Sequence, residues 1–289
     1  MLSLRLKLLI YFSIQDLFVL FLGKVFPMLR HSKFNELQDR ENKLRILATH
    51  CQLISVTKLE TIISYEINGV EFLFFLRLVG SDIMAFNQVI VNKEYSVLIS
   101  CFRKCFKNDP LSIIDAGANI GLTTMYFKAL IPEARILALE PENENFERAK
   151  KSIETNSFLY VELLHSALWP SKRNLQVVSD FRDRMNWSFR VEENPNGEII
   201  STTSDEVIDY FEGNVDLFKI DIEGGESRIF EEKNNMDWIR KVKMIAVEIH
   251  EELVNSNEIE SLLKVNGFRI FKEGELTIGV NQLFEKTSI

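Results

Sequence analysis

The chain has 289 residues, of which 46% are hydrophobic and 26% charged, and its formal net charge is −8. This composition is typical of a globular, core-forming protein, and the acidic balance argues against a nucleic-acid binder, which would need clustered Lys and Arg. The odd cysteine count, with Cys51, Cys101 and Cys105, does not suggest a disulfide framework. We therefore expect a reducing compartment and a cytoplasmic location.

The first 30 residues contain an apolar run, "RLKLLIYFSIQDLFVLFLGKVF", that imitates a signal peptide. Gln15 and Asp16 interrupt the run and no small-residue cleavage site follows, so neither a signal peptide nor a transmembrane helix is favoured. At helical spacing Ser13, Asp16 and Lys24 form one narrow polar stripe. The pattern fits a helix packed on the protein's own body, a helix that mediates self-association, or one lying peripherally at the inner face of a membrane.

The chain is predicted to have three segments. Residues 1–50 form an N-terminal helical extension, and residues 51–109 form a hairpin and helices that cap the fold. Within the second segment, Asn68-Gly69 between β-branched and aromatic runs predicts a type I′ turn. The break at Pro110 marks the start of the main domain, residues 110–289.

After Pro110, short apolar runs alternate with helical patterns, which predicts an α/β fold with parallel strands buried on both faces. Two more runs in the tail, "GFRIF" and "LTIGVNQLF", are too close together for a helical crossover and should pair antiparallel at one edge. The five predicted parallel strands are residues 111–115, 135–139, 160–164, 215–220 and 243–249.

The loop in "SIIDAGANIGLTTMYF" follows the first of these strands, where open α/β sheets bind their ligands. Gly117 would let the backbone approach a ligand, and Gly121 would let the next helix start close to the strand. Ala116 and Asn119 do not fit the G-x-G-x-x-G pattern of dinucleotide sites, and Asp115 would repel a phosphate. An acid here suits the positively charged and phosphate-free cofactor S-adenosylmethionine (SAM).

Glu140 ends the second strand, just before Pro141. A carboxylate at this place can accept hydrogen bonds from both hydroxyls of a ribose. The alternative is a solvated residue favoured by the dipole of the following helix. The spacing after the glycine loop favours the ribose role, and Ser166 and Ala167, after the third strand, are predicted around the adenine.

Carboxylates also follow the fourth and fifth strands. In "DLFKIDIEGGESRIF", Asp221 and Glu223 come at the end of the fourth strand, where they could act as a general base, as cation ligands or as neighbours of a sulfonium. Capping of the next helix is the structural alternative. In "KMIAVEIH", Glu248 and His250 share a face and open onto the same cleft; His250 fits a structural and a catalytic role equally well.

Together these segments resemble the FkbM family of SAM-dependent methyltransferases over about residues 75–272. The resemblance rests on "DAGANIG", "LEPEN", "SALW", "DLFKIDIEGGE" and "VEIH". It implies a Rossmann-like seven-stranded methyltransferase sheet, mostly parallel with its last strand antiparallel, and O-methylation of sugar or polyketide-like hydroxyls. Leu139 and Asn143 depart from the family pattern, which bears on adenine packing and local loop shape.

The sequence thus predicts SAM as cofactor, a small-molecule or carbohydrate acceptor shaped in part by residues 171–214, and no nucleic-acid partner. It leaves open whether a base or a divalent cation activates the acceptor. A nicotinamide-dependent oxidoreductase and a non-catalytic membrane-associated module remain the competing functions. The predicted catalytic residues are Asp221, Glu223, His250 and Glu248. The predicted cofactor contacts are Asp115, Gly117, Asn119, Gly121, Glu140, Pro141, Ser166, Ala167 and Asp221.

Overall fold

A computed structural model describes residues 8–179, 185–231, 235–251 and 255–285. The chain divides into two compact units, residues 1–87 and 88–289. Among the described residues, no helix is long and apolar enough to cross a membrane.

The first unit contains helices and a three-stranded antiparallel sheet. Helix α1 starts with a capping box, in which Ser13 and Asp16 each bond the other's backbone N–H. The elements are α1 (Ile14–Val25), α2 (Ser32–His50), β1 (Gln52–Val56), β2 (Glu60–Ile67), β3 (Val70–Arg77) and α3 (Asp82–Phe86), with 3-10 turns at Leu9–Tyr11 and Pro27–Leu29.

Helix α1 packs on α2, and its buried residues are Asp16, Leu20 and Gly23. Asp16 lies 3.6 Å from Lys33 Nζ, and Lys24 forms an ion pair with Glu41. A Cβ at Gly23 would lie 2.1 Å from the Phe34 ring, so this glycine allows the close approach of the two helices. Of the predicted polar stripe, Asp16 is buried, Lys24 reaches Glu41 while staying partly exposed, and Ser13 is exposed. Several apolar side chains of α1 are exposed as well.

The predicted hairpin is present between β2 and β3. Asn68 and Gly69 have φ values of 53° and 80°, the positive sign that a type I′ turn requires at both positions. Strand β1, which the sequence analysis did not anticipate, pairs antiparallel with β2 at its other edge.

The second unit holds a seven-stranded sheet with the order β12-β13-β11-β10-β4-β5-β6. Only β13 runs antiparallel to its neighbours β11 and β12 within this sheet, so the predicted Rossmann-like α/β fold is confirmed.

A π-helical turn, Asn87–Val91, lies at the boundary between the units. The sheet and its helices comprise α4 (Ser96–Phe106), β4 (Ser112–Ala116), α5 (Leu122–Leu130), β5 (Arg135–Leu139), α6 (Asn143–Thr155), β6 (Val161–Leu164), α7 (Ser204–Asp209), β10 (Val215–Ile220), α8 (Glu226–Ile229), β11 (Val242–Glu248), α9 (Ser256–Val265), β12 (Phe268–Glu273) and β13 (Leu276–Asn281), with a 3-10 turn at Asp237–Lys241.

The strand order reverses between β4 and β10, because β5 and β6 continue on one side of β4 and β10 and β11 on the other. Strands β4 and β10 are buried along nearly their whole length, since helices cover both faces. The carboxyl ends of these two strands therefore frame the crevice where such sheets bind ligands.

The predicted insertion folds as a small sheet of its own. Strands β7 (Asn174–Val178), β8 (Arg190–Glu193) and β9 (Ile199–Ile200) form it in the order β8-β7-β9. Part of the stretch "FRDRMNWSFR", residues 180–184, lies outside the described residues. The role of this insertion in shaping an acceptor pocket stays a prediction.

Candidate active site

The glycine loop, residues 117–121, joins β4 to α5. Three of its five residues have positive φ, including Asn119 at 51°. Every backbone N–H of the loop donates within the protein. The acceptors are Leu139 O for both Gly117 and Ala118, Glu140 Oε2 for Asn119, the Asn119 side chain for Ile120, and Ala118 O for Gly121.

Both glycines also pack closely against other parts of the protein, and the approach of a ligand to Gly117 stays a prediction. A Cβ at Gly117 would lie 1.7 Å from the carbonyl oxygen of Asp221, where the loop meets the end of β10. A Cβ at Gly121 would lie 3.1 Å from Ala149 Cβ on α6. Positive φ, +81° and +82°, adds a backbone strain that only glycine avoids.

Asp115 is the last but one residue of β4 and is fully buried. Its Oδ2 accepts a hydrogen bond of 2.6 Å from Thr124 Oγ1, and its Oδ1 lies 3.1 Å from Lys219 Nζ. The sequence analysis placed this carboxylate at the mouth of the loop, whereas the strand continues through it and its side chain is occupied by protein groups. Direct contact between Asp115 and a cofactor stays a prediction.

Lys219 connects the ends of β4 and β10. Its Nζ donates to Gly117 O at 2.7 Å and lies 3.3 Å from Asp221 Oδ2. Burial would lower the pKa of Lys219, but the charges of Asp115 and Asp221 raise it well above its usual value. This lysine is therefore a fixed cation that pairs with both acids.

Glu140 lies at the end of β5, almost fully buried. Its Oε2 accepts the N–H of Asn119 and its Oε1 the N–H of Glu142, each at 2.8 Å. Burial raises the pKa of Glu140 to about 7 against the effect of these two bonds. Because each carboxylate oxygen can accept a second hydrogen bond, the arrangement leaves capacity for a ligand.

The other predicted cofactor contacts lie at the carboxyl end of the neighbouring strands. Pro141 O lies 3.0 Å from His165 Nε2, after β6. Ser166 Oγ bonds Ile200 O at 2.6 Å and Thr202 Oγ1 at 2.7 Å. Ala167 packs in a small apolar cluster with residues of the insertion sheet. Their predicted adenine contact is not tested by this geometry.

The acidic cluster, made of Asp221, Glu223, Glu226, Glu248 and His250, follows β10 and β11. His250 Nδ1 donates to Glu226 Oε1 at 3.0 Å, since a carboxylate can only accept. His250 Nε2 lies 3.2 Å from Glu223 and 3.9 Å from both Asp221 and Glu248. The structure thus brings together all four residues predicted as catalytic.

Burial and mutual charge change the titration of this cluster. Burial alone would lower the pKa of His250, but its hydrogen bond to Glu226 and the charges of Glu226, Asp221 and Glu223 raise it to about 9. Burial raises the pKa of Glu248 to about 9 as well, and the charge of Asp221 adds to the effect. Perturbed groups that converge on a crevice are typical of functional sites.

Three members of the acidic cluster also satisfy the geometry of a cation site. Asp221, Glu223 and His250 each offer a ligand atom, and these atoms lie within 4.8 Å of one another. The bond from His250 Nδ1 to Glu226 would orient the ring for coordination through Nε2, as is common for metal-bound histidines. The same bond would orient the ring for proton transfer.

Two residues of the site were missed by the sequence analysis. Lys219 stands within an apolar strand that is buried on both faces, and a lysine in that position requires carboxylate partners. Glu226 is fully buried at the start of α8 and also accepts the N–H of Ile222 at 3.0 Å. The only signal for Glu226 in the sequence was its position as the third acid in "DIEGGE".

This chain is similar to several known methyltransferases. The chain is 26% identical over 196 residues to methyltransferase sdnD of Sordaria araneosa, covering 56% of this chain and 74% of that protein. It is 24% identical over 196 residues to methyltransferase 1 of Beauveria bassiana (strain ARSEF 2860), covering 59% and 78%. A solved methyltransferase from Geobacter sulfurreducens is 13% identical with a TM-score of 0.39, covering 69% of this chain and 88% of that one.

The model of the methyltransferase FkbM domain matches residues 115–270, from Asp115 at the end of β4 to β12. The matched region contains the glycine loop, Glu140 and the whole acidic cluster, and it makes up more than half of the 289 residues. This chain therefore belongs to the FkbM family of methyltransferases.

Proposed function

We propose that the protein is a SAM-dependent O-methyltransferase that acts on a hydroxyl group of a sugar or secondary metabolite. The observation that carries the proposal is the pairing of two features at one crevice. The glycine loop uses all of its N–H groups internally, so it offers none to a phosphate. The acidic cluster lies beside it, and its charge suits a cationic ligand.

These residues fit SAM better than a dinucleotide. Pyrophosphate sites rely on free N–H groups in the glycine loop and at the start of the helix, whereas the N–H groups of residues 117–121 are engaged within the protein. Glu140 is the residue to hold the ribose, and Asp221 is the acid nearest to the loop that could face the ammonium or sulfonium. When bound, SAM supplies an electrophilic methyl group.

The acidic cluster supplies the remaining chemistry. An alcohol is a weak nucleophile until its proton is removed, and Asp221 or Glu223 can accept that proton as the oxygen bonds to the methyl carbon. His250, whose pKa is raised to about 9, is protonated at neutral pH and can act as the base only after losing that proton. Transfer of the methyl group from the sulfonium of SAM would give the methyl ether and a neutral thioether, and Asp221 or Glu223 would take up the proton released from the hydroxyl. A divalent cation held by Asp221, Glu223 and His250 would serve the same purpose by lowering the pKa of the hydroxyl.

Calorimetry with SAM and NAD tests the cofactor. We expect SAM to bind, and Glu140→Ala to weaken binding by about 10- to 150-fold for each hydrogen bond lost. Glu144→Ala, which removes an exposed carboxylate from the first turn of α6, is the matched control and should bind as the wild type does. Binding of NAD without SAM would favour the oxidoreductase alternative, and equal SAM affinity in Glu140→Ala would remove Glu140 from the cofactor site.

The acceptor is tested with the same preparation. Radiolabelled methyl transfer from SAM is measured against a panel of sugars and small hydroxylated metabolites, with matched amines and thiols as controls. Transfer to amines or thiols in preference to hydroxyls would contradict O-methylation while leaving the methyltransferase assignment intact.

A further inference from the structure

The outer face of α1 carries a continuous apolar stripe. Ile14, Phe18, Phe21 and Val25 are spaced four, three and four residues apart and are all exposed, with Phe18 at 59% and Phe21 at 60%. This spacing places them on one side of the helix. We define the N-terminal apolar surface as Ile14, Phe18, Phe21, Val25, Phe26 and Met28.

The opposite side of α1 is fixed to α2, so the helix cannot rotate to bury this stripe without breaking contacts. Gly23 sits against the Phe34 ring, and the ion pairs of Asp16 with Lys33 and of Lys24 with Glu41 hold both ends. The inward side buries Asp16, Leu20 and Gly23, and the outward side still carries a row of large apolar residues, unlike a helix whose outer face meets only water. An exposed apolar patch of this kind usually marks an interaction site.

The net charge of the N-terminal segment indicates which kind of partner the N-terminal apolar surface would bind. Residues 1–33 contain five Lys or Arg and a single Asp, a formal charge of +4 in a chain whose total is −8. Lys24 and Lys33 keep 37% and 52% of their side-chain surface exposed despite their ion pairs. A basic segment beside an apolar, Phe-rich helical face has the composition of helices that lie on anionic lipid.

The length of α1 limits how it can be placed in a lipid bilayer. The 12 residues of α1 extend over about 18 Å at 1.5 Å per residue, which is well short of the roughly 30 Å hydrocarbon core of a bilayer. The helix can therefore lie in the plane of the interface with Phe18 and Phe21 among the acyl chains. Self-association through the same face fits less well, because a two-fold interface would bring two segments of charge +4 together.

We propose that the N-terminal apolar surface docks the protein on an anionic lipid surface. This inference is independent of the proposed catalytic function, since it concerns residues of the first unit alone. It assigns α1 as a peripheral, salt-sensitive membrane contact that is preformed in the folded protein.

Flotation of the full-length protein with vesicles tests the proposal. Vesicles of phosphatidylcholine with phosphatidylserine should carry the wild-type protein, and vesicles of phosphatidylcholine alone should carry much less. Raising the salt to about 1 M should reduce binding, because screening then shortens the reach of the basic residues to about 3 Å. Phe18→Ser/Phe21→Ser should lower the bound fraction at least tenfold.

The control is Val265→Ser, which removes an apolar side chain that is 87% exposed at the end of α9. It should float as the wild type does. Because Phe18 and Phe21 are exposed, the double variant should keep its melting temperature, and Ile14→Ser/Met28→Ser offers a second pair for the same measurement.

Sedimentation velocity tests the alternative that a second copy of this chain covers the N-terminal apolar surface. A wild-type dimer that the double variant turns into a monomer, with no flotation of either protein, would overturn the proposal in favour of a subunit interface. Absence of wild-type flotation on anionic vesicles would also overturn it, and so would equal flotation of the wild type and both surface variants.

Discussion

The glycine loop and the acidic cluster lie at the same edge of one sheet, yet different groups hold them in place. In the loop and at Glu140, backbone N–H groups donate the hydrogen bonds, including those to both carboxylate oxygens of Glu140. In the cluster, side chains bond other side chains, as His250 does with Glu226. Backbone bonds persist through most substitutions, whereas the cluster depends on the charge of each member. The backbone-held loop side thus has a fixed geometry, and the side-chain-held cluster concentrates groups that could exchange a proton.

Lys219 joins the two regions. It contacts Gly117 O on the loop side and Asp221 on the cluster side, and it also neutralises Asp115 beneath them. Its position supplies a partner for two of the acids at this edge of the sheet, Asp115 and Asp221, since a buried carboxylate requires a partner.

The largest effect is expected from removing charge in the cluster while keeping its shape. If these acids supply the base, Asp221→Asn and Glu223→Gln should each lower turnover by about 10²- to 10⁴-fold. Glu223→Gln should leave SAM affinity nearly unchanged, whereas Asp221→Asn should also weaken SAM binding and lower the melting temperature, because Asp221 pairs with Lys219 and is the acid proposed to face the cofactor. A helix cap would tolerate the same changes, because Asn caps about as well as Asp. Steady-state kinetics on a hydroxyl acceptor provide the measurement.

EDTA added to the wild type separates the two mechanisms, since only a cation-assisted enzyme loses activity in the chelator. Near-normal turnover in both acid variants would refute the assignment of Asp221 and Glu223. His250 and Glu248 would then be the residues to test.

A smaller effect is expected on the loop side, where packing and not charge is at stake. Gly117→Ala should lower the free energy of unfolding by about 3 kcal/mol or more, because the new Cβ meets the Asp221 carbonyl and the backbone has positive φ. Gly213→Ala is the matched control: φ is +99° but no atom lies within 4 Å of its Cβ. Gly213→Ala should lower the free energy of unfolding by only about 1–2 kcal/mol, which is the cost of placing alanine at a positive φ. Equal losses in urea unfolding would show that the contact with Asp221 is unimportant.

The smallest effect concerns the pH dependence of stability. The pKa of His250 is raised from 6.5 to about 9 in the folded state. Its charge pairing therefore stabilises the fold fully below about pH 6.5, and this contribution is lost as the pH rises through about 9. Glu226→Gln should cost about 1–2 kcal/mol near pH 6.5, a fraction of the roughly 3.4 kcal/mol that the whole shift represents.

Thermal unfolding in metal-free buffer from pH 6 to pH 10 measures this difference. Wild type and Glu226→Gln should differ by a few degrees at pH 6.5 and converge above pH 9. A difference that grows with rising pH would contradict the His250–Glu226 ion pair as its source.

The sequence by itself determined the fold of the second unit and which of its polar residues would meet at the carboxyl ends of the strands. Short apolar runs and the glycine loop after the first of them were enough to predict this fold. Strand burial and turn chemistry depend mainly on the local sequence, so they can be read from it directly. Four predicted catalytic residues indeed converge, since the carboxyl ends of parallel strands share one edge of the sheet.

Only the tertiary structure decided how the groups are paired. Asp115 and Lys219 are more than 100 positions apart, and their contact follows from the register of β4 with β10. Gly117 is glycine because of the Asp221 carbonyl, which no local pattern reveals. The sequence likewise did not decide which face of α1 packs on the rest of the protein. A polar stripe at helical spacing shows which residues share a face, but not which face is packed. Contacts with α2, through Gly23 and the ion pairs, made that choice.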